Sequence, residues 1–323
     1  MSTAAQRTWP EELRRQTALL TPLADMPDPT PSDGPDPYGD PNPEWLEIDW
    51  REHLRNADVV GASVNYAEIG EGPPVLLIHG LGGSWQNWLA NMPHLAKNHR
   101  VIAIDLPGFG ASPLPPWEIS IPAFGRFIHD FCEKVEIGSA AVIGSSLGGF
   151  VASELAITEP SRVERLVLAS SAGVTWSRAR REPAAVLGRI MRAAAPLAFR
   201  YQMEGLRRRG LRQRAYRGIV DDPVALDPRL LFEITVPALR APGFYDAMTT
   251  LVGYDIRDRL QEIEVPTLVV WGRQDRVVPS RSAPFYRDLI GDNAELVVFE
   301  RCGHLPMLER PVRFNRLIDD FLS

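Results

Sequence analysis

Short unbroken apolar runs recur along this chain between polar, glycine-rich or proline-rich breaks. Val75-Leu76-Leu77-Ile78 and Val101-Ile102-Ala103-Ile104 leave no position for water, as expected of parallel strands buried on both faces. Ala140-Ala141-Val142-Ile143 is a further apolar run, and Val163 to Ala169, Thr267 to Trp271 and Leu296 to Phe299 add three more strands. Upstream, Leu46-Glu47-Ile48-Asp49-Trp50 alternates like a half-buried strand, and Val64 to Ile69 is the next, closed by Gly70-Glu71-Gly72. Helical spacing appears around Gln86 to Lys97, in Ile121 to Val135, after Leu147, and in Pro311 to Leu322. Strands alternating with helices predict an α/β protein with a mostly parallel sheet covered on both faces.

Two segments break this rhythm. Residues 174–258 hold helix-like stretches and no convincing strand, so they read as a helical cap inserted into a core made of 44–173 and 259–323. Residues 1–43 form an N-terminal arm. Pro22, Pro27, Pro29, Pro31, Pro35, Pro37, Pro41 and Pro43 exclude helix and sheet interior and leave an extended segment. Before them, Trp9 to Leu20 suits a short amphipathic helix entered at Pro10.

Charge sharpens the contrast between these segments. No Lys or Arg lies between Arg15 and Arg51, which makes the arm acidic. In the first half of the cap, twelve arginines between Arg178 and Arg217 face only Glu182 and Glu204. Three readings of that cluster stay open: a solvated face, a dock for the acidic arm, or a surface for an anionic partner. Single exposed charge contacts are weak, so only a network would matter. The net charge of −6 argues against general nucleic-acid binding. No run approaches the length of a membrane span and no signal peptide is visible, which makes a cytoplasmic location the expectation. Cys132 and Cys302 are the two cysteines, too few for a disulfide framework or a cysteine metal site.

The chemistry gathers at strand ends. Ser146 sits in Gly144-Ser145-Ser146-Leu147-Gly148, between a strand and a helix. A serine hydroxyl is a weak nucleophile, so it needs exposure at a tight bend, a base, and donors for the anion that forms. Gly144 and Gly148 remove the side chains that would keep strand and helix apart. The base candidate is His304, in Gly303-His304 after the strand ending at Phe299, and the orienting acid is Asp275, in Gly272-Arg273-Gln274-Asp275. Each lies just past a strand, on the sheet edge where sites assemble. His79-Gly80-Leu81-Gly82-Gly83 follows another strand, and the Leu81 amide can join that of Leu147 as an oxyanion hole. His79 itself is expected to hydrogen-bond within the turn. Cys302 lacks a helix N-terminus to activate it.

Together with Asp105-Leu106-Pro107-Gly108-Phe109-Gly110-Ala111-Ser112, these motifs make residues 60–322 resemble the α/β-hydrolase fold family. The resemblance implies a nucleophile at Ser146, an acid at Asp275, a base at His304 and a structural role for the Asp105 loop. A serine, where dehalogenases and epoxide hydrolases of this fold carry aspartate, favours esters, thioesters, lactones or activated carbon–carbon bonds. The expected activity is hydrolysis of carboxylic esters of hydrophobic, small-to-medium acyl substrates, without metal or organic cofactor. A carbon–carbon bond hydrolase, a cofactor-free perhydrolase and a non-catalytic ligand-binding protein are the alternatives. Gly80, Trp85 and Trp176 are candidate substrate contacts, Trp88 is expected to pack, and some cap aromatics should line the pocket.

Overall fold

The computed structural model describes residues 36–175, 197–198 and 200–323. Its centre is an eight-stranded sheet: β1 (Leu54–Val59), β2 (Ala62–Ile69), β3 (Pro74–Ile78), β4 (Arg100–Ile104), β5 (Ala140–Ser145), β6 (Val163–Ala169), β7 (Thr267–Gly272) and β8 (Ala294–Phe299). The strand order is β1-β2-β4-β3-β5-β6-β7-β8. β1 and β2 pair antiparallel, as do β2 and β4, and every later pair is parallel.

The two-sided burial read from the apolar runs is literal. Leu76 and Ile78 of β3 enter one core with Ile102, Val142 and Leu168, while Val75 and Leu77 enter the opposite core with Val101, Ile143 and Val167. The first core is closed by α2 (Ile121–Lys134), α3 (Leu147–Thr158) and α7 (Ala283–Ile290). The second is closed by α1 (Met92–Leu95), α8 (Pro306–Glu309) and α9 (Pro311–Leu322). α2 starts cleanly because Ser120 accepts the Ala123 amide and Pro122 occupies its first turn.

Two expectations are corrected. Leu46 to Trp50 is not a strand; it holds the ends of two 3-10 turns, Glu44–Leu46 and Trp50–Glu52. The alternating apolar positions do not share one buried face, although Trp50 packs partly buried on the second core. Trp45 is buried, whereas Leu46 is exposed and Asp49 accepts the Arg51 amide to cap the second turn. The first strand is instead Leu54–Val59, an edge strand whose buried positions, Ala57 and Val59, come only at its end. The helix expected over Gln86 to Lys97 is a 3-10 turn at Trp85–Trp88 followed by the single turn α1. Pro93 has no amide hydrogen, so it sits in the first turn of α1, where that amide would have no partner in the helix.

Between β6 and β7, the described residues form helices: residues 200–207, α4 (Arg209–Tyr216), α5 (Pro228–Arg240) and α6 (Phe244–Thr250). α5 opens on Asp227, whose carboxylate accepts the Arg229 amide at 2.8 Å, with Pro228 at its first position. The insert is tied back to the core by Glu154 of α3, a buried carboxylate. It accepts from Tyr254 Oη at 2.7 Å and from Arg259 Nη1 at 3.1 Å. Trp9 to Leu20, most of the arm, Trp176, and the arginines from Arg178 to Arg192 lie outside the described residues.

Candidate active site

β4 and β5 flank β3 on opposite sides, so the chain reverses its direction across the sheet at β3. In such sheets ligands bind beyond the carboxyl ends of the strands at the reversal. The turns leaving β3 and β5 meet there. Ser146 follows β5 with φ 54° and ψ −114°, a left-handed conformation that costs a non-glycine residue about 1–3 kcal/mol. Neighbouring backbone enforces it. Ser146 N donates to Ala169 O at 3.0 Å, and Ser146 O accepts from Ala172 N and Phe150 N. A side chain on Gly144 would overlap the Gly148 carbonyl, and one on Gly148 would overlap the carbonyls of Ile78 and His79. The serine occupies the N-cap position of α3, yet its hydroxyl caps nothing.

Asp275 and His304 are brought together from the loops after β7 and β8. His304 Nδ1 lies 2.8 Å from Asp275 Oδ2, and both side chains are buried. The other carboxylate oxygen, Oδ1, accepts the amides of Val277 and Val278 at 2.9 Å, which fixes the plane of the carboxylate. Their loops are zipped together. Gln274 N donates to Cys302 O, Cys302 N donates to Gln274 Oε1, and Gly272 lies so close to the Gly303 carbonyl that no side chain fits.

Ser146 and His304 share the wall of one cavity of about 310 Å³ with Gly80 and Leu81. A methyl built on Gly80 would lie 3.7 Å from Ser146 Oγ, so this backbone borders that hydroxyl. The rest of the wall is mainly apolar and comes mostly from the insert, with Ala172, Val277, Val278 and Leu305 added from the core. Leu231, Ile234, Thr235 and Ala238 form one face of α5 at spacings of three and four residues, and Phe244 of α6 rests on Gly82. Sequence reasoning missed this face, because its apolar residues carry the same signal as a helix buried in a core. Tyr216 and Phe244 are among the cap aromatics expected to line the pocket, whereas Thr235 was missed; the Thr235 and Tyr216 hydroxyls bond at 2.9 Å and put a polar spot on the wall.

His79 has a different job from His304. Its Nε2 accepts the Leu106 amide at 3.0 Å, so Nδ1 carries the proton and donates to Gly80 O at 2.7 Å. Burial pushes its pKa down to about 4, and the ring pins the Gly80 turn to the Asp105 loop as a neutral group. Asp105 accepts the amides of Trp85 and Ala111 and the side-chain amide of Asn65. The expectation for Trp85 is corrected by this geometry. Its amide is bound to Asp105, its ring packs on Trp50 with centroids 5.2 Å apart, and it does not line the cavity. Trp88 packs fully buried. Cys302 is buried in a setting that pushes its thiol well up, away from nucleophilic use. Among the described residues there is no cluster of potential metal ligands, and no helix is long and apolar enough to cross a membrane.

This sheet order, with a serine elbow after β5 and a histidine–carboxylate pair after β7 and β8, defines a class of hydrolases. The chain belongs to the α/β hydrolase fold family, whose model matches residues 73–311. It is 33% identical over 292 residues to the 2-hydroxymuconate semialdehyde hydrolase of Pseudomonas sp. (strain CF600), covering 83% of this chain and 93% of the relative. It is 29% identical over 265 residues to the pimeloyl-[acyl-carrier protein] methyl ester esterase of Aeromonas hydrophila, covering 81% of this chain and all of the relative. Among solved structures, the meta-cleavage product hydrolase from Pseudomonas fluorescens IP01 matches with a TM-score of 0.67 at 28% identity, over 83% of this chain and 97% of that one.

Proposed function

We propose that the protein is a serine hydrolase that cleaves carboxylic esters of hydrophobic, small-to-medium acyl substrates through an acyl-enzyme. The observation that carries this reading is a strained serine facing a mainly apolar cavity whose wall also presents the histidine of a buried His304–Asp275 pair. With Nδ1 engaged by Asp275, His304 offers Nε2 as the base. It takes the Ser146 proton as Oγ attacks the acyl carbonyl, and returns that proton to the leaving alcohol. The amides of Leu81 and Leu147 receive the oxyanion, each donor being worth about 3–4 kcal/mol in the transition state. Water, activated by His304, then releases the acid. The insert at 174–258 serves as the cap over the pocket. Ligand cavities run from about 300 to 1,000 Å³, so the volume here favours a short acyl group.

A second reading, carbon–carbon bond hydrolysis, is favoured by the 33% identity to the 2-hydroxymuconate semialdehyde hydrolase. A muconate is an anion. Among the described residues, no Lys or Arg lines the cavity to receive it, which supports the ester. The test is hydrolysis of p-nitrophenyl esters from acetate to palmitate, with Ser146→Ala beside the wild type. Turnover on the short esters that vanishes in the variant is the expected result. No turnover on any ester, with activity on a vinylogous diketone, would replace the first reading by the second.

A further inference from the structure

We propose that Glu309 is a positioning residue for His304, and that Tyr38 of the N-terminal arm completes the hydrogen-bond shell that holds it there. This rests on His304 being the base. Glu309 is fully buried and lies five residues past the histidine. Its Oε1 accepts the Leu305 amide at 3.1 Å and its Oε2 accepts the Gly303 amide at 2.8 Å. The two amides that flank His304 therefore converge on one carboxylate. The amide of His304 itself donates to Ile219 O of the insert at 2.7 Å. Three consecutive amides are thus fixed, and the direction of the imidazole is fixed with them.

The same carboxylate gathers two further segments. Oε2 also accepts the Asp221 amide at 2.8 Å and the Tyr38 hydroxyl at 2.6 Å. That hydroxyl accepts the Asp222 amide at 2.7 Å, and Gly39 N donates to Glu309 O at 2.8 Å. The Tyr38 ring lies under the Arg310 guanidinium at 4.9 Å, and Asp36 pairs with Arg313 at 3.5 Å. The described arm residues therefore dock on Arg310 and Arg313. An ordinary structural carboxylate would need some of these donors but not both neighbours of the base. Four donors from the arm, the insert and the His304 loop fill its acceptor sites. The seating of arm and insert is thereby coupled to the placement of one imidazole. A misplacement of about 1 Å at such a group costs about 10²-fold in rate.

Glu309→Gln tests this selectively. The amide oxygen will take the Oε2 position, which three donors share, and the NH₂ group will then face the Leu305 amide and push it away. Tyr38→Phe keeps the ring on Arg310 and removes the hydroxyl alone. Full-length wild type and both variants are compared by kcat and KM on p-nitrophenyl butyrate, by the rate of Ser146 labelling with a fluorophosphonate, by amide exchange over residues 303–305, and by Tm. Expected for Glu309→Gln is a kcat lower by about 10²-fold with KM within about twofold, slower labelling and faster exchange. Expected for Tyr38→Phe is a kcat lower by about three- to tenfold, in line with one lost hydrogen bond, with Tm nearly unchanged. If Glu309→Gln does not fold, Tyr38→Phe decides. Variants that fold, keep kcat and labelling within twofold and leave exchange unchanged overturn the proposal. A wild type that turns over no ester overturns the ester reading alone, because labelling and exchange still report on His304.

Discussion

Gly80→Ala separates the oxyanion turn from the rest of the fold. A methyl at this position would lie 3.1 Å from Ser146 Cβ, 3.3 Å from Ser145 O and 3.7 Å from Ser146 Oγ. None of these contacts forces a backbone collision, and the neighbours need give way by only a few tenths of an ångström. Overpacking of that kind costs about 1–3 kcal/mol, which a domain of this size survives. The chemical cost is larger. A tetrahedral oxygen must sit about 2.7–3.1 Å from its donors, and the methyl fills space beside the serine on the side of the Leu81 amide. Loss of one donor would lower kcat by about 10²–10³, equivalent to about 3–4 kcal/mol. The assay is kcat and KM on p-nitrophenyl butyrate together with a thermal melt. Gly148→Ala is the contrast: its methyl overlaps two backbone carbonyls, and it should yield no folded protein. A folded Gly80→Ala variant with kcat within threefold of wild type would refute the placement of the oxyanion at the Gly80–Leu81 turn.

Asp275→Asn should lower kcat by about 10⁴ while leaving the melt almost unchanged. The Val277 and Val278 amides keep the asparagine oxygen, so its NH₂ faces His304 Nδ1 and drives the proton to Nε2, the wrong tautomer for a base, which kcat on p-nitrophenyl butyrate will record. His79 makes stability pH-dependent. Its pKa is about 4 in the folded chain against 6.5 in the unfolded one, so its contribution is complete above about pH 6.5 and is withdrawn as pH falls towards about 4, by about 3 kcal/mol in all. Asp105, pushed up to about 6 by burial, works the other way, losing its share as pH rises from 3.8 to 6. Urea unfolding at pH 7.5 and 4.5 should therefore show His79→Asn losing less stability on acidification than wild type; an equal loss would contradict the assignment. Arg259→Ala should cost about 2 kcal/mol in the same assay. That is less than the usual penalty for orphaning a buried carboxylate, because Tyr254 still holds Glu154 and Arg259 is a third exposed.

The central parallel strands were readable because burial on both faces leaves few polar positions, as in Val75 to Ile78 and Val101 to Ile104, a pattern that survives without any knowledge of neighbours. β1 was not, because an edge strand needs to bury little: Arg55, Asn56 and Asp58 face water, and the sequence looks like a loop. The alternation in Leu46 to Trp50 satisfied the rule for a strand while its tryptophans anchored a turn, with Trp50 Nε1 bonded to Trp45 O at 2.9 Å. Trp85 was misjudged for a similar reason. Adjacency to the oxyanion turn suggested a place in the pocket, yet its direction was set by the Asp105 hydrogen bond, which joins residues 20 apart. Ser146, Asp275 and His304 each stood out through a strand end and glycines. Glu309 had no such mark. In Pro306-Met307-Leu308-Glu309-Arg310 it resembles a solvated helix end, and its partners lie 88 and 271 positions away.

The two halves of the cavity are built by different kinds of contact. The half that holds Ser146 is fixed by close approaches of backbone to backbone at Gly144, Gly148 and Gly272, where any side chain collides with a carbonyl. Such contacts are all-or-none, and they sustain a strained serine that a looser surrounding would release. The half lined by the insert is formed by side chains on one face of α5 and by Phe244, which can change size and still pack. On the proposed function, the rigid half sets the reaction and the adaptable half sets the substrate. This division explains why the chemistry of the site could be read from glycines at strand ends. The apolar wall, where the proposed acyl group would lie, is written in insert side chains that look, in sequence, like any other buried helix face.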